Sequence, residues 1–280
     1  MGTVREGWYG WGVGRRREGP IEALRLHGSA GPWRVYPVHV FRIGDTLIDS
    51  GCAGCSGRVV AWARERGIGR VVHTHHHEDH VGASARLASE LGAEILAPAA
   101  AVALLAWPYR RPAYRRIVWG QPRPVAARPL PDRVTIAGVP FDVVRTPGHT
   151  PDHVCLFQPD ERWLFTGDLY VAAQPPYLRA VEDAAVILAS LERVAALRPR
   201  LLCCAHSGFV ENGGEALRAT IRKLRRLGEA AEALARRGLT VRAVTRRLLG
   251  PEGWLTWISG GAFAKRHLVA SLLRMRGVYP

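Results

Sequence analysis

The chain has 280 residues, 48% of them hydrophobic, and a formal net charge of +15 at pH 7. That length can bury a sizeable core in one large domain, or in one domain with an appendage. No run of about 18 apolar residues occurs, which argues against a membrane-spanning helix, and the opening MGTVREGWYGWGVGRRREG lacks the apolar stretch of a secretory leader; a cytoplasmic location with no membrane partner is the expectation.

Residues 35–50, VYPVHVFRIGDTLIDS, read as a hairpin turning at Gly44-Asp45. Cys52-Ala-Gly-Cys55 follows. A lone CxxC reads either as a redox or metal pair or as two small residues in a Gly-rich turn. With no second pair at zinc spacing, and five cysteines in all, the turn reading is preferred and a disulfide framework is not expected. Residues 57–67 carry helical spacing, and 70–74 form a short strand running into THHHEDHVG. VGASARLASELG then reads as a helix stopped by Gly92, and 93–96 as a strand.

Residues 107–131, WPYRRPAYRRIVWGQPRPVAARPLP, contain too many prolines for a long element. They suit either a substrate-facing loop that stacks and binds anions or a stiff surface loop. Strands are expected at 134–137, 139–146, 153–158 and 163–166, a helix at 181–197, and a strand at 201–205 ending at His206. This order fits a layered α/β protein with two sheets.

From Gly213 the pattern is helical only, which places a boundary between residues 1–212 and a basic tail, 213–280. Three helices with Gly turns suit a winged-helix-like module or a plain helical cap. Residues 215–280 hold 12 arginines and two lysines against four glutamates. That excess fits either a nucleic acid partner or a solvated basic face.

THHHEDHVG places four imidazoles and two carboxylates in nine residues. Histidine is costly to bury unless each ring nitrogen finds a partner. His75 and His77 are two apart and point the same way in an extended segment. Asp79 and His80 follow at a helix entry. Two pairs on one turn suggest two metals about 3.5–4 Å apart, and imidazole with carboxylate suits zinc, iron or manganese. His149 in TPGHT, Asp168 in LFTGD and His206 in LLCCAHSG each follow an apolar run, where a strand end would place them on the same rim.

The stretch THHHEDHVG resembles the HxHxDH motif of the metallo-β-lactamase fold superfamily. TPGHT, FTGD and the final histidine follow in the same order, and Asp49 in LIDSG resembles the first motif. The similarity spans about residues 35–210. It implies a four-layer αββα sandwich with the helical tail appended. It implies that His75, His77 and His149 hold one metal, that Asp79, His80 and His206 hold a second, and that Asp168 bridges. Asp49 would orient a ligand from behind. Asp79, Asp168 and Asp49 are thus the candidate catalytic acids. His73 and His76 match no ligand position and are expected to be hydrogen-bonded or exposed; Glu78 reads as a spacer, and His153 has no assigned role.

The implied cofactors are two divalent ions, zinc first, with iron or manganese as alternatives. The implied chemistry is a metal-bridging hydroxide attacking a carbonyl or phosphoryl centre. Tyr170 is a weaker candidate for an oxyanion donor, and Ser207 and Cys204 are expected to pack. The stretch is similar to glyoxalase II sequences, whereas TPGHTPDH with a basic helical tail looks more like the lactamase-like-2 branch, which includes single-strand endoribonucleases. The leading reading is a hydrolase of a small ester, thioester or lactone. An endoribonuclease using the tail is the alternative, and a persulfide-type iron oxygenase ranks below both.

Overall fold

A computed structural model describes residues 14–30, 33–171 and 177–279; the reading of the first 13 residues as leaderless lies outside them. The first sheet runs in chain order: β1 (Gly14–Glu18), β2 (Ile21–Ala30), β3 (Trp33–Ile43), β4 (Thr46–Ile48), β5 (Arg70–Val72), β6 (Glu94–Ala97) and β7 (Arg128–Pro129). Its first four strands are antiparallel neighbours, and β4 to β7 are parallel. Parallel neighbours need crossovers. These carry α1 (Ser56–Arg64), α2 (Glu78–Val81), α3 (Ser84–Leu91), α4 (Ala99–Ala106) and α5 (Ala113–Trp119). Gly92, at φ 66°, stops α3 as a left-handed cap.

The second half of the chain supplies β8 (Arg133–Ile136), β9 (Val139–Arg145), β10 (Val154–Gln158), β11 (Trp163–Gly167), β12 (Leu178–Arg179), α6 (Ala184–Ala196), β13 (Leu201–Cys204) and β14 (Gly208–Glu211). The second sheet has the order β14-β13-β11-β10-β9-β8, and β12 lies outside it. The tail holds α7 (Gly213–Ala235), α8 (Val241–Leu249), α9 (Trp254–Ile258), β15 (Phe263–Ala264) and α10 (Lys265–Met275).

Side-chain alternation builds four layers. In β2, Ile21 and Ala23 face the other sheet while Leu24 and Leu26 face the helices α1, α3 and α4. In β11, Trp163 and Phe165 face the first sheet while Leu164 faces α6 and α7. Phe41 fills the centre, edge-on to Phe165 at 5.4 Å and to Phe209 at 5.6 Å. Strands buried on both faces read as continuous apolar runs. This is the αββα sandwich that the motifs imply.

Strands β1, β2, β7, β12, β14 and β15 and helices α4, α5 and α9 were not expected. In β2 the two-sided burial removes alternation, and Arg25, His27 and Gly28 interrupt the apolar run. The expected helix at 181–197 starts later, at Ala184. Asp183 caps it, its carboxylate accepting from Ala185 N at 2.7 Å and Val186 N at 3.2 Å, a contribution of about 1 kcal/mol.

The tail is joined closely to the sandwich. Helix α7 packs Leu217 and Ile221 against the second sheet, then carries Ala231 into a cluster with Val244, Val269 and Leu273. Among the described residues the tail has one strand, β15, and it pairs with β12: Leu178 with Ala264 and Arg179 with Phe263. No helix among the described residues is long and apolar enough to cross a membrane.

Strand polarity sets the functional rim. β9 and β11 both run antiparallel to β10, and β13 runs parallel to β11, so all three end at one edge. The loop after β5 meets them there, where Val154 N donates to Thr74 O at 2.9 Å.

Candidate metal centre

Four loops, each following a strand, bring seven side chains together. Four of the seven come from the first sheet's side and belong to one turn: His75, then His77 on extended backbone, then Asp79 and His80 in α2. The others are His149 after β9, Asp168 after β11 and His206 after β13. Two sets form: His75, His77, His149 and Asp168, and Asp79, His80, Asp168 and His206.

In the first set, His77 Nδ1 lies 2.9 Å from both His75 Nε2 and His149 Nε2. Asp168 Oδ2 is 3.2 Å from His149 Nε2 and 4.0 Å from His75 Nε2. In the second set, Asp168 Oδ1 is 3.1 Å from both His80 Nε2 and His206 Nε2. Asp79 Oδ2 is 3.7 Å from His206 Nε2 and 4.0 Å from His80 Nε2. Each oxygen of Asp168 therefore faces one set. Tetrahedral ligands at bond lengths of about 2.0–2.1 Å stand roughly 3.3 Å apart, a separation within the observed range.

The protons also fit. A ligating imidazole keeps its proton on the outer nitrogen and gives it to an acceptor. His80 Nδ1 has Asp49 Oδ2 at 2.7 Å, His149 Nδ1 has Glu182 Oε1 at 2.8 Å, His206 Nδ1 has Pro37 O at 2.7 Å, and His75 Nδ1 has Thr74 Oγ1 at 3.1 Å. With its one proton on that outer nitrogen, each of the four rings would offer its inward Nε2 lone pair to a cation. His80 Nε2 and Asp168 Oδ1 are buried and make no hydrogen bond of acceptable geometry, which is costly unless something else takes their lone pairs. His77 is the exception: its outer Nε2 meets Arg179 Nη1 at 2.9 Å. On these observations the donor set fits two divalent cations.

The electrostatics divide the rings differently, by whether they lie within 3.2 Å of Asp168. Burial opposes a charged His80, but Asp168 and Asp49 beside it hold its pKa well above the ordinary imidazole value. His149 and His206 are raised against burial in the same way, chiefly by Asp168. Burial and neighbouring cationic groups hold His75 and His77 well below it. Burial likewise opposes the Asp168 carboxylate, and His206, His80 and His149 hold its pKa well below the usual range.

Asp49 lies behind His80 and the backbone of Thr74. It accepts from Thr74 N and Thr74 Oγ1, both at 2.9 Å, as well as from His80. It adopts a left-handed φ of 60° to do so, a strained conformation for a non-glycine residue. Burial opposes its charge, but His80 and His73 hold its pKa far below normal.

The motif's remaining residues serve as ties. His73 is hydrogen-bonded to Ser84 Oγ at 2.8 Å. His76 presents both its N–H and Nδ1 to Asp152, at 2.9 and 2.8 Å. Glu78 is buried and pairs with Arg115, and with Arg111 at 3.3 Å. Residues 107–131 thus act partly as a strap: Arg111 and Arg115 point inward to the motif, and Trp107 is exposed. His153 Nε2 accepts from Asp168 N at 3.1 Å, and its Nδ1 bonds Thr146 Oγ1 at 2.8 Å. It positions the backbone of Asp168. Two glycines in the motifs answer to close approach: a Cβ on Gly167 (φ 47°) would sit 2.6 Å from His153 Nε2, and one on Gly82 would strike the backbone of Cys52 and Ala53.

Tyr170 and Cys204 lie in the apolar cluster between the second sheet and α6 and α7. Cys52 and Cys55 are free, buried thiols in and beside the one-turn 3-10 helix Ala53–Cys55. Glu182 and Arg179, which touch the first set, were not anticipated. They belong to LRAVED, whose composition marks neither residue.

Comparison with known proteins decides the family. A family model described as the metallo-beta-lactamase superfamily matches residues 35–206. The chain belongs to the metallo-β-lactamase superfamily. A hydroxyacylglutathione hydrolase of Pseudomonas putida (strain F1) is 36% identical over 129 residues, 45% of this chain and 43% of that protein. Another, from Rhizobium meliloti (strain 1021), is 35% identical over 102 residues, 36% of this chain and 34% of that protein. The matched part is thus less than half the length of these hydrolases. A probable metallo-hydrolase, YybB, of Bacillus subtilis (strain 168) is 26% identical over 62% of this chain and 82% of its own. Among solved structures, a metallo-beta-lactamase family protein from Thermus thermophilus aligns with a TM-score of 0.66 at 20% identity, covering 92% of this chain and 94% of that one. A beta-lactamase domain protein from Burkholderia ambifaria aligns at 0.68 with 19% identity, over 92% and 86%. At such identities the likeness speaks for the fold of this superfamily member.

Proposed function

We propose that this superfamily member is a dinuclear metal-dependent hydrolase of small esters, thioesters or lactones, with thioesters first. The observation that carries the reading is Asp168, whose two oxygens each face a separate set of three further ligand atoms. His75, His77 and His149 hold one divalent ion, Asp79, His80 and His206 the other, and Asp168 is shared. Zinc is the leading identity for an imidazole-rich tetrahedral set, with iron and manganese as alternatives. When bound, such a pair supplies a water acidified to near-neutral pKa and a Lewis acid for the scissile carbonyl. The chain's own residues do the positioning. Asp49 and Glu182 fix the ring orientations of His80 and His149, His153 fixes the backbone at Asp168, and the Arg111–Glu78–Arg115 pairing holds the motif in its turn.

The thioester preference is supported by the hydroxyacylglutathione hydrolases, whose name gives a thioester substrate. No observation among the described residues or the relatives favours the endoribonuclease or oxygenase alternatives. The test is a substrate panel on metal-reconstituted protein: an acyl-thioester, a lactone, a β-lactam, a phosphodiester and single-stranded RNA. Turnover of the thioester well above the rest is expected. Cleavage of RNA with an inert thioester would overturn the assignment.

A further inference from the structure

The segment between β11 and α6 ends in Leu178-Arg179-Ala180-Val181-Glu182-Asp183, which touches the first ligand set at His149 and His77. Glu182 is 6% exposed and spends its carboxylate inward. One oxygen, Oε1, meets His149 Nδ1 at 2.8 Å and Arg179 Nε at 3.0 Å, and Oε2 accepts from Arg179 N at 2.7 Å. Arg179 also donates through Nη2 to His149 O at 2.9 Å. Side chain and backbone of His149 are therefore both gripped by this one segment.

The segment is itself gripped by the tail. Leu178 and Arg179 form β12, whose strand partner is β15. Ser271 Oγ, on α10, accepts from Ala184 N at 2.8 Å. Leu268 and Leu272 pack with Ala184 and Leu178. Three contacts of different kinds thus run from the tail to the residues flanking Glu182.

We propose that the C-terminal tail is a clamp for the first metal site, acting through Glu182 and Arg179, which are positioning residues for His149. Glu182 locks the imidazole with its proton outward and Nε2 inward, and Arg179 holds Glu182 in place. A cation held by His77 Nδ1 would leave that ring's proton on its outer nitrogen, which would then no longer accept from Arg179; Glu182 and His149 O would remain as partners of Arg179. The clamp rests on the two-metal reading, and it concerns the first site alone.

Cobalt(II) titration of metal-stripped full-length protein, followed by visible absorption and by competition with a chelator, tests it. The parent is expected to bind two equivalents. Glu182→Ala should weaken one equivalent ten- to a hundred-fold, the range seen when such outer partners are lost, and leave the other unchanged. Glu182→Gln, which still offers His149 an oxygen, should fall between. Ser271→Ala should weaken the same equivalent by a smaller factor. A merely structural role for Glu182 would lower thermal stability without separating the two equivalents. Two parent-like equivalents in Glu182→Ala would overturn the clamp and leave the metal reading standing. A parent that takes up no cobalt would overturn both.

Discussion

The two ligand sets share Asp168 and little else in how they are braced. The second set is backed by the first sheet: Asp49, just past β4, holds His80, and the Pro37 carbonyl of β3 holds His206. The first set is backed by connecting segments: Thr74 behind His75, Asp152 behind the backbone of His76, and Glu182 behind His149. One set is therefore held by the first sheet, and the other by connecting segments that are themselves held by something further out. On the two-metal reading, one site would be braced by the sheet and the other by loops.

Removing the shared ligand should erase the distinction. Asp168→Ala is expected to abolish turnover and to lower bound metal at both sites, as read by elemental analysis; a variant keeping two ions and full activity would remove Asp168 from the centre. Asp49→Ala should act unequally. It unbraces His80 directly and His75 only through Thr74, so the second site should lose affinity about ten- to a hundred-fold and the first by less, measured by chelator competition. Equal losses would mean that the sets are not separately braced.

A pH experiment probes the sheet-side brace. His39 is buried, with its Nδ1 2.9 Å from Ala205 O, next to His206. Burial, against the carbonyl's pull, pushes its pKa down to about 3, whereas in the unfolded chain it titrates near 6.5. Below about 6.5 the unfolded state binds the extra proton, so folding loses about 1.4 kcal/mol per pH unit as pH falls toward the folded value. His39→Asn keeps a donor for Ala205 O and removes the titration. Metal-stripped variant should therefore lose Tm less steeply than the parent between about pH 6.5 and 4; parallel slopes would discount His39. The smallest effect is expected at Asp152→Asn, which weakens the tie between the loops carrying His77 and His149. A loss of about 1 kcal/mol, or about 2–4 °C in Tm, should accompany a few-fold weaker first site, with the second unchanged.

The same division separates what the sequence reveals from what it hides. His75, His77, Asp79 and His80 are legible because a metal needs dense donors at fixed spacing. His149, Asp168 and His206 are legible because each follows an apolar strand. Braces have no such constraint. Glu182 needs only to arrive at the right place, and nothing in LRAVED distinguishes it from a solvated acid. The inward arginines of 107–131 were hidden for a similar reason: periodicity marks apolar faces, whereas Arg111 and Arg115 are buried by their pairing with Glu78. Strands β1 and β2 escaped because burial on both faces of β2 erases the alternation by which strands are recognised, and β1 is mostly arginine.

The pairing of β12 with β15 also imposes an order on biosynthesis. His206 is the last of the seven clustered side chains to leave the ribosome. Phe263 and Ala264 emerge only later, and until they do, Leu178 and Arg179 have no strand partner. Chains are made from the N-terminus and fold as they appear. The sheet-braced set can thus form before the helical tail that braces the other set has been made.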